Sequence, residues 1–351
     1  MMHVQKLETL FQTVDGVLLT SAHNLRYFTG FSGGEGIALV TPKRRYLFVD
    51  SRYTVAAKEE APAFEVIEYQ GGLRNQTIAQ TLDDIQTIGY EDGFLTVAEF
   101  HSLNTMSTKL KWEGISQSLE RLRMIKSEEE ITLLLKAEEI GVEAFRAVLP
   151  QIKPGVTELE LAAELEYQMR KLGGEGTSFD TIVVSGVKTS MPHGRPDTKK
   201  IEIGDFITMD FGCVYQGYCS DMTRTVAVGN VSEEQIKIYE TVKQAQRTGL
   251  DAIRAGVSCK DADFAARKVI EDAGYGPYFG HSLGHGVGLL IHELPNLSPR
   301  SEIILEHGMI VTCEPGIYVP QFGGVRIEDM VCVCEDGNKN LTDLSKELLI
   351  L

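Results

Sequence analysis

The chain has 351 residues, 43% of them hydrophobic and 24% charged, which is enough for two ordinary domains with a large core. Its formal net charge of −16 argues against nucleic acid as a partner, because phosphate binding needs a basic patch; most of that charge reads as a solubilising surface. There is no apolar run of about 18 residues, and the N-terminus lacks a basic region followed by an apolar block and a small-residue cleavage site, so neither a transmembrane helix nor a signal peptide is expected.

Residues 1–122 read as a small α/β domain. Apolar runs at 36–40 and 46–49 are strand-like, with the turn former Thr41-Pro42-Lys43 between them, and 53–60 and 75–86 are expected to be helical. Between Leu119 and Lys126 the chain turns polar and then enters a strong helix, so the second domain is expected over 123–351. Four helix starts follow as capping boxes or a close variant: Ser127 with Glu130, Thr157 with Glu160, Ser232 with Gln235, and Ser258 with Asp261. Gly173 and Gly274 stand where the second and fourth of these helices should stop.

The second domain contains an internal repeat. Ile152-Lys-Pro-Gly-Val-Thr157 resembles Ile253-Arg-Ala-Gly-Val-Ser258, and Gly204-Asp-Phe-Ile-Thr-Met-Asp210 aligns with Gly308-Met-Ile-Val-Thr-Cys-Glu314. That period is too long for a solenoid and fits two similar α/β halves about a pseudo-two-fold axis. In the first half Asp210 and Asp221 sit on the two arms of a hairpin, and in the second Glu314 and Glu328 do the same. Any one of these acids could be an ordinary turn or surface charge. Four carboxylates at the ends of apolar strands, converging on one axis, cannot all stay ionised without cations. Two divalent cations would neutralise them, and oxygen-rich ligation suits an ion such as Mn²⁺. The stretch from His281 through His285 to His292 is dense in histidine and glycine and could add a ligand and proton-transfer groups. By spacing alone, His193 in Met191-Pro-His-Gly-Arg-Pro196 is an ordinary solvated loop residue. The cysteines, Cys213, Cys219, Cys259, Cys313, Cys332 and Cys334, form no CxxC and read as reduced core thiols of a cytoplasmic protein.

At Pro192-His193-Gly194, Asp210-Phe-Gly, Tyr218-Cys-Ser-Asp221-Met-Thr-Arg224, Gly284-His285-Gly-Val-Gly288, His292-Glu293, Glu314-Pro-Gly-Ile-Tyr318 and Val325-Arg326-Ile-Glu328-Asp329, the chain resembles the proline-specific branch of the pita-bread metallopeptidases, the aminopeptidase P and prolidase enzymes. Asn24-Leu-Arg-Tyr-Phe-Thr-Gly-Phe31 and Phe48-Val-Asp-Ser-Arg-Tyr53 resemble the creatinase-type N-terminal domain. The resemblance implies an α/β (α+β) pita-bread domain behind a smaller creatinase-like one. It implies that Asp210 and Asp221 bind one cation and His285 and Glu314 the other, with Asp221 and Glu328 bridging. Glu314 would also shuttle a proton, His193 would steady the tetrahedral intermediate, and His292 would bind near the scissile carbonyl; the resemblance thus reverses the spacing-based reading of His193. It places His281 at the proline-side pocket. Arg326, two residues before Glu328, is expected to pair with the metal-bound carboxylates, and the aromatics Phe179 and Tyr278, the latter near the glycine-rich stretch, are pocket-wall candidates. Mn²⁺ is the expected metal, with Co²⁺, Zn²⁺ or Fe²⁺ as alternatives, and a homodimer the expected assembly.

The implied substrates are peptides that begin Xaa-Pro. An aminopeptidase that releases the first residue is favoured slightly, because the compact N-domain and the 48–53 stretch look more like small bacterial aminopeptidases; a prolidase restricted to dipeptides is the alternative. A methionine aminopeptidase would normally lack the N-domain. A non-catalytic binding module or a metal-free creatinase would have lost ligands that are all present here.

Overall fold

The computed structural model describes residues 3–351, and the chain divides after Arg123 into two compact units. In the N-terminal unit a six-stranded mixed sheet has the spatial order 65–68, 45–49, 37–40, 16–19, 87–90, 111–114. The two strands expected from the apolar runs pair antiparallel, Ile37 opposite Phe48 and Val40 opposite Arg45, through the predicted turn. Leu18, Leu39, Phe48 and Ile88 form the core of one face, with Ile78 from the helix Arg74–Ala79. That helix stops well short of the expected Gln86. Thr81 turns its hydroxyl back onto the Ile78 carbonyl at 2.7 Å, and the Asp15 carboxylate takes the Gln86 and Thr87 amides to start the next strand. The apolar pattern continues through Leu82 and Ile85, but in turns. The Asn24 motif also has a structural reason. Ser21 caps the helix Ala22–Thr29, and the buried Glu91 carboxylate accepts from the Ser21 amide and the Asn24 side chain.

In the C-terminal unit the caps form as the sequence predicts. Ser127, Thr157 and Ser232 close full capping boxes, and Ser258 accepts from the Asp261 amide. The helices Glu158–Lys171 and Cys259–Asp272 end just before Gly173 and Gly274, whose φ values of +108° and +86° suit glycine. The two halves of the repeat are two α/β layers. In the first, Phe206–Phe211 lies between Ile182–Ser185 and Met222–Ala227; in the second, Ile310–Cys313 lies between Gly284–Gly286 and Asp329–Cys334. All six cysteines are free and five are buried. Among the described residues no helix is long and apolar enough to cross a membrane.

The halves meet where the Glu328 amide donates to the Thr223 carbonyl at 3.1 Å. Arg224, buried beside this contact, pairs with Asp329 at 2.7 Å and also donates to the carbonyls of Thr223 and Leu344. Breaking a buried pair from one side strands the other charge. Lys346 remains on Asp329 at 2.6 Å and softens the loss. Arg224→Met is therefore expected to destabilise the C-terminal unit by about 3 kcal/mol, the low end for such a break, read as a lower urea midpoint by circular dichroism.

Candidate active site

Five residues from both halves converge on one cleft of about 850 Å³. Asp210 lies in the strand Phe206–Phe211, and Asp221 immediately precedes the strand Met222–Ala227 that pairs with it. Glu314 follows Ile310–Cys313, and Glu328 precedes the paired strand Asp329–Cys334. The repeat thus puts each acid at a strand end facing the axis. His285 enters on the short strand Gly284–Gly286. A Cβ on Gly284 would stand 2.0 Å from the Thr312 carbonyl oxygen, and one on Gly286 2.3 Å from that of Leu294. The glycines flanking His285 are there for close backbone packing.

His285 Nε2 lies 3.3 Å from Asp221 Oδ2 and 3.5 Å from Glu314 Oε1. Ligand atoms of Asp221, His285 and Glu328 all fall within 4.8 Å of one another, a group that could hold a metal ion. Thr223 donates to Glu328 Oε2 at 2.6 Å, and Arg326 pairs with Asp210 Oδ2. Asp210 Oδ1 is buried and has no hydrogen-bond partner, an open valence turned into the cluster. Burial first, and then the neighbouring Asp210 and Glu314, push the Asp221 carboxyl well above its ordinary range. Burial, Asp221 and Glu314 do the same to Glu328. Glu314 is raised by burial, against the opposing pull of His285 and Arg326. Such a cluster must take up protons or cations, and its mixed oxygen and imidazole donors fit divalent metal ions.

The other side chains form a shell around this centre. His281 Nε2 lies 2.9 Å from the Tyr318 hydroxyl, which accepts from Arg326 Nη1 at 2.8 Å. Arginine can only donate, so the tyrosine proton goes to His281 Nε2, and His281 Nδ1–H donates to the Ser282 carbonyl at 2.8 Å. That is a neutral imidazole. Burial, and then the Arg326 charge, pull the His281 pKa down to about 4. The His292 ring stands edge-on to that of His285, with centroids 4.4 Å apart. Its pKa is lowered by burial and then by His285 and His193. His193 and Phe179 line the same cleft. Tyr278 does not: it ends the short turn Gly276–Tyr278 and is 36% exposed.

Three contributors were not legible as site residues. Tyr318 holds His281 and Arg326 together, and Thr223 orients Glu328. Glu138 accepts from the Asp221 amide at 3.3 Å and from Thr342 at 2.6 Å, and burial pushes its carboxyl up to about 7. The available signal was a carboxylate on the apolar face of the helix Glu128–Val148, beside Ala137 and Gly141.

A sequence model of metallopeptidase family M24 matches residues 132–335, and one of the creatinase/prolidase N-terminal domain matches residues 5–125. The Xaa-Pro dipeptidase of Pyrococcus furiosus is 40% identical over 338 residues, 96% of each chain. The solved structure of an Xaa-Pro dipeptidase from Bacillus anthracis superposes with a TM-score of 0.96 at 43% identity, covering 99% of both chains. That of an X-Pro aminopeptidase from Thermotoga maritima does so at 0.92 and 40%, covering 98% of this chain and 99% of the other.

The depressed His281 pKa has a signed consequence. Below the ordinary histidine value the unfolded chain takes up a proton that the folded chain refuses until about pH 4. The stability from burying this neutral ring is therefore complete above about pH 6.5 and is lost as the pH falls towards 4. His281→Gln is expected to flatten the fall in melting temperature across that window relative to the parent protein.

Proposed function

As the chain belongs to metallopeptidase family M24 and carries a creatinase/prolidase N-terminal domain before a pita-bread domain, we propose that it is an Xaa-Pro dipeptidase with a two-cation centre. The observation that carries this reading is the donor set Asp210, Asp221, His285, Glu314 and Glu328 in one cleft, in a chain similar to Xaa-Pro dipeptidases along nearly all its length. In this reading residues 1–122 are the N-terminal domain and 123–351 the catalytic one. Asp210 and Asp221 would hold one cation and His285 and Glu314 the other, with Asp221 and Glu328 shared between them. Mn²⁺ is the preferred ion, ahead of Co²⁺, Zn²⁺ and Fe²⁺. When bound, the cations lower the pKa of water enough for attack at neutral pH and polarise the scissile carbonyl.

The protein's own groups do the rest. The proline nitrogen has no hydrogen and must be protonated to leave. The Glu314 carboxylate accepts the proton of the attacking water and passes it to that nitrogen. His193 donates to the oxygen that gains charge, and His292 orients the carbonyl and the residue before proline. The Arg326–Tyr318 hydrogen bonds keep His281 neutral against the proline ring, and Arg326 fixes the Asp210 carboxylate. Phe179 adds apolar wall. The free buried thiols support a reducing cytoplasm, the acidic charge supports peptide and not nucleic-acid partners, and a homodimer is the assembly we infer.

The dipeptidase reading replaces the sequence-based preference for an aminopeptidase, since more of the similar proteins, among them those of Pyrococcus furiosus and Bacillus anthracis, are dipeptidases. The aminopeptidase reading is kept by the likeness to the Thermotoga maritima protein. Metal-stripped protein restored with each cation in turn separates them. Gly-Pro should be cut, best with Mn²⁺, and Gly-Pro-Ala at about a tenth of that efficiency or less, a loss of about 1.4 kcal/mol in transition-state binding. Equal cleavage of the tripeptide would establish the aminopeptidase. No cleavage and no bound metal with any cation would leave a binding module. In the active protein, His193→Ala is expected to lower kcat by about 10²–10³ while the metal content by elemental analysis stays unchanged.

A further inference from the structure

The segment 191–197, which carries His193, has no helix or strand, yet its backbone is fastened. Lys188 Nζ donates to the Arg195 carbonyl at 3.0 Å, and the Asp197 amide donates to Glu158 Oε2 at 3.2 Å. Glu158 is fully buried in the first turn of its helix, and its Oε1 takes the amide and hydroxyl of Ser185 at 2.7 and 2.9 Å. Its Oε2 is ion-paired with Lys188, which also reaches Asp197 at 2.8 Å. Lys188 is 19% exposed but Glu158 is not exposed at all, so separating the pair would leave the Glu158 charge without solvent, which makes it a firm anchor.

What this anchor presents to the cleft is a guanidinium. Arg195 and Arg326 are the two arginines that line it, and no lysine does so among the described residues. Arg326 is buried and committed to Asp210, Tyr318 and Thr223. Arg195 is 87% exposed, and its ion partner is Asp180 at 3.9 Å, itself 95% exposed. A pair so long and so wet holds neither group. The planar fork of Arg195 is available for a carboxylate, which it can grip with two hydrogen bonds.

An Xaa-Pro dipeptide ends in a carboxylate on its proline, whereas a longer peptide has a neutral amide there. Groups that act on the scissile carbonyl do not tell the two apart. We propose that Arg195 recognises the proline carboxylate, and that the Glu158–Lys188 pair is what positions it. The proposal rests on the Xaa-Pro reading above and names the group by which that site would prefer dipeptides.

The test compares Gly-Pro with Gly-Pro amide on the Mn²⁺-loaded protein. The parent should prefer the free acid, and in Arg195→Gln the ratio of the two kcat/KM values should fall about ten-fold, as for loss of one charge-assisted contact. Lys188→Met should lower the same ratio, and Lys188→Arg should restore it. Melting temperature and metal content, measured on each variant, separate lost recognition from lost fold. A parent without preference, or an Arg195→Gln variant that keeps the preference, overturns the proposal; in the latter case the dipeptidase reading stands. A parent that cuts neither substrate overturns both.

Discussion

Four carboxylates forced together around one point are the constraint from which the rest of this structure follows. Water is largely excluded, so Asp221, Glu314 and Glu328 are all pushed towards the protonated state, first by burial and then by one another or by Asp210. An arrangement so costly in the absence of counter-charge is hard to explain as packing. Arg326 supplies part of the counter-charge, and the open Asp210 Oδ1 marks where more is wanted. A metallopeptidase meets that demand with divalent cations, and the same cations provide its chemistry.

The pseudo-symmetry explains how the constraint is built. Each half offers one acid at the end of a central strand and one at the start of its neighbour, so two copies of one supersecondary plan deliver four acids. The contacts that join the halves lie beside the same acids. The Thr223–Glu328 backbone contact and the Thr223 hydroxyl bond on Glu328 mean that the interface and the site are one set of atoms. Beyond the acids the halves diverge. One contributes His193 on a stapled loop; the other contributes His281, His285 and His292 on a glycine-rich stretch.

The structure also separates two kinds of polar group in the cleft. His281, Tyr318 and Arg326 are locked by hydrogen bonds whose donor order can be followed atom by atom, and burial keeps the histidine neutral. Arg195 and His193 are exposed side chains on a fixed backbone. The first kind gives shape and charge that do not change with substrate. The second is open to solvent.

By itself, the sequence determined whatever is local or repeated. Hydroxyl and acid three residues apart specify helix starts, so Ser127, Thr157 and Ser232 were readable as caps. The repeat tied Asp210 to Glu314 and Asp221 to Glu328 before any contact was known. Only the tertiary structure decided what depends on distant segments meeting. It ended the helix after Ala79, where Asp15 claims the next strand, and it left Tyr278 outside the cleft beside which its glycine neighbours suggested it. It gave Tyr318 and Thr223 contacts that their motifs did not specify, and it brought in Glu138, which lies in no motif. The physical reason is the same throughout. Caps and periodicity are set by bonds within a few residues, whereas the surroundings of a buried polar group are set by whichever segments the fold packs against it.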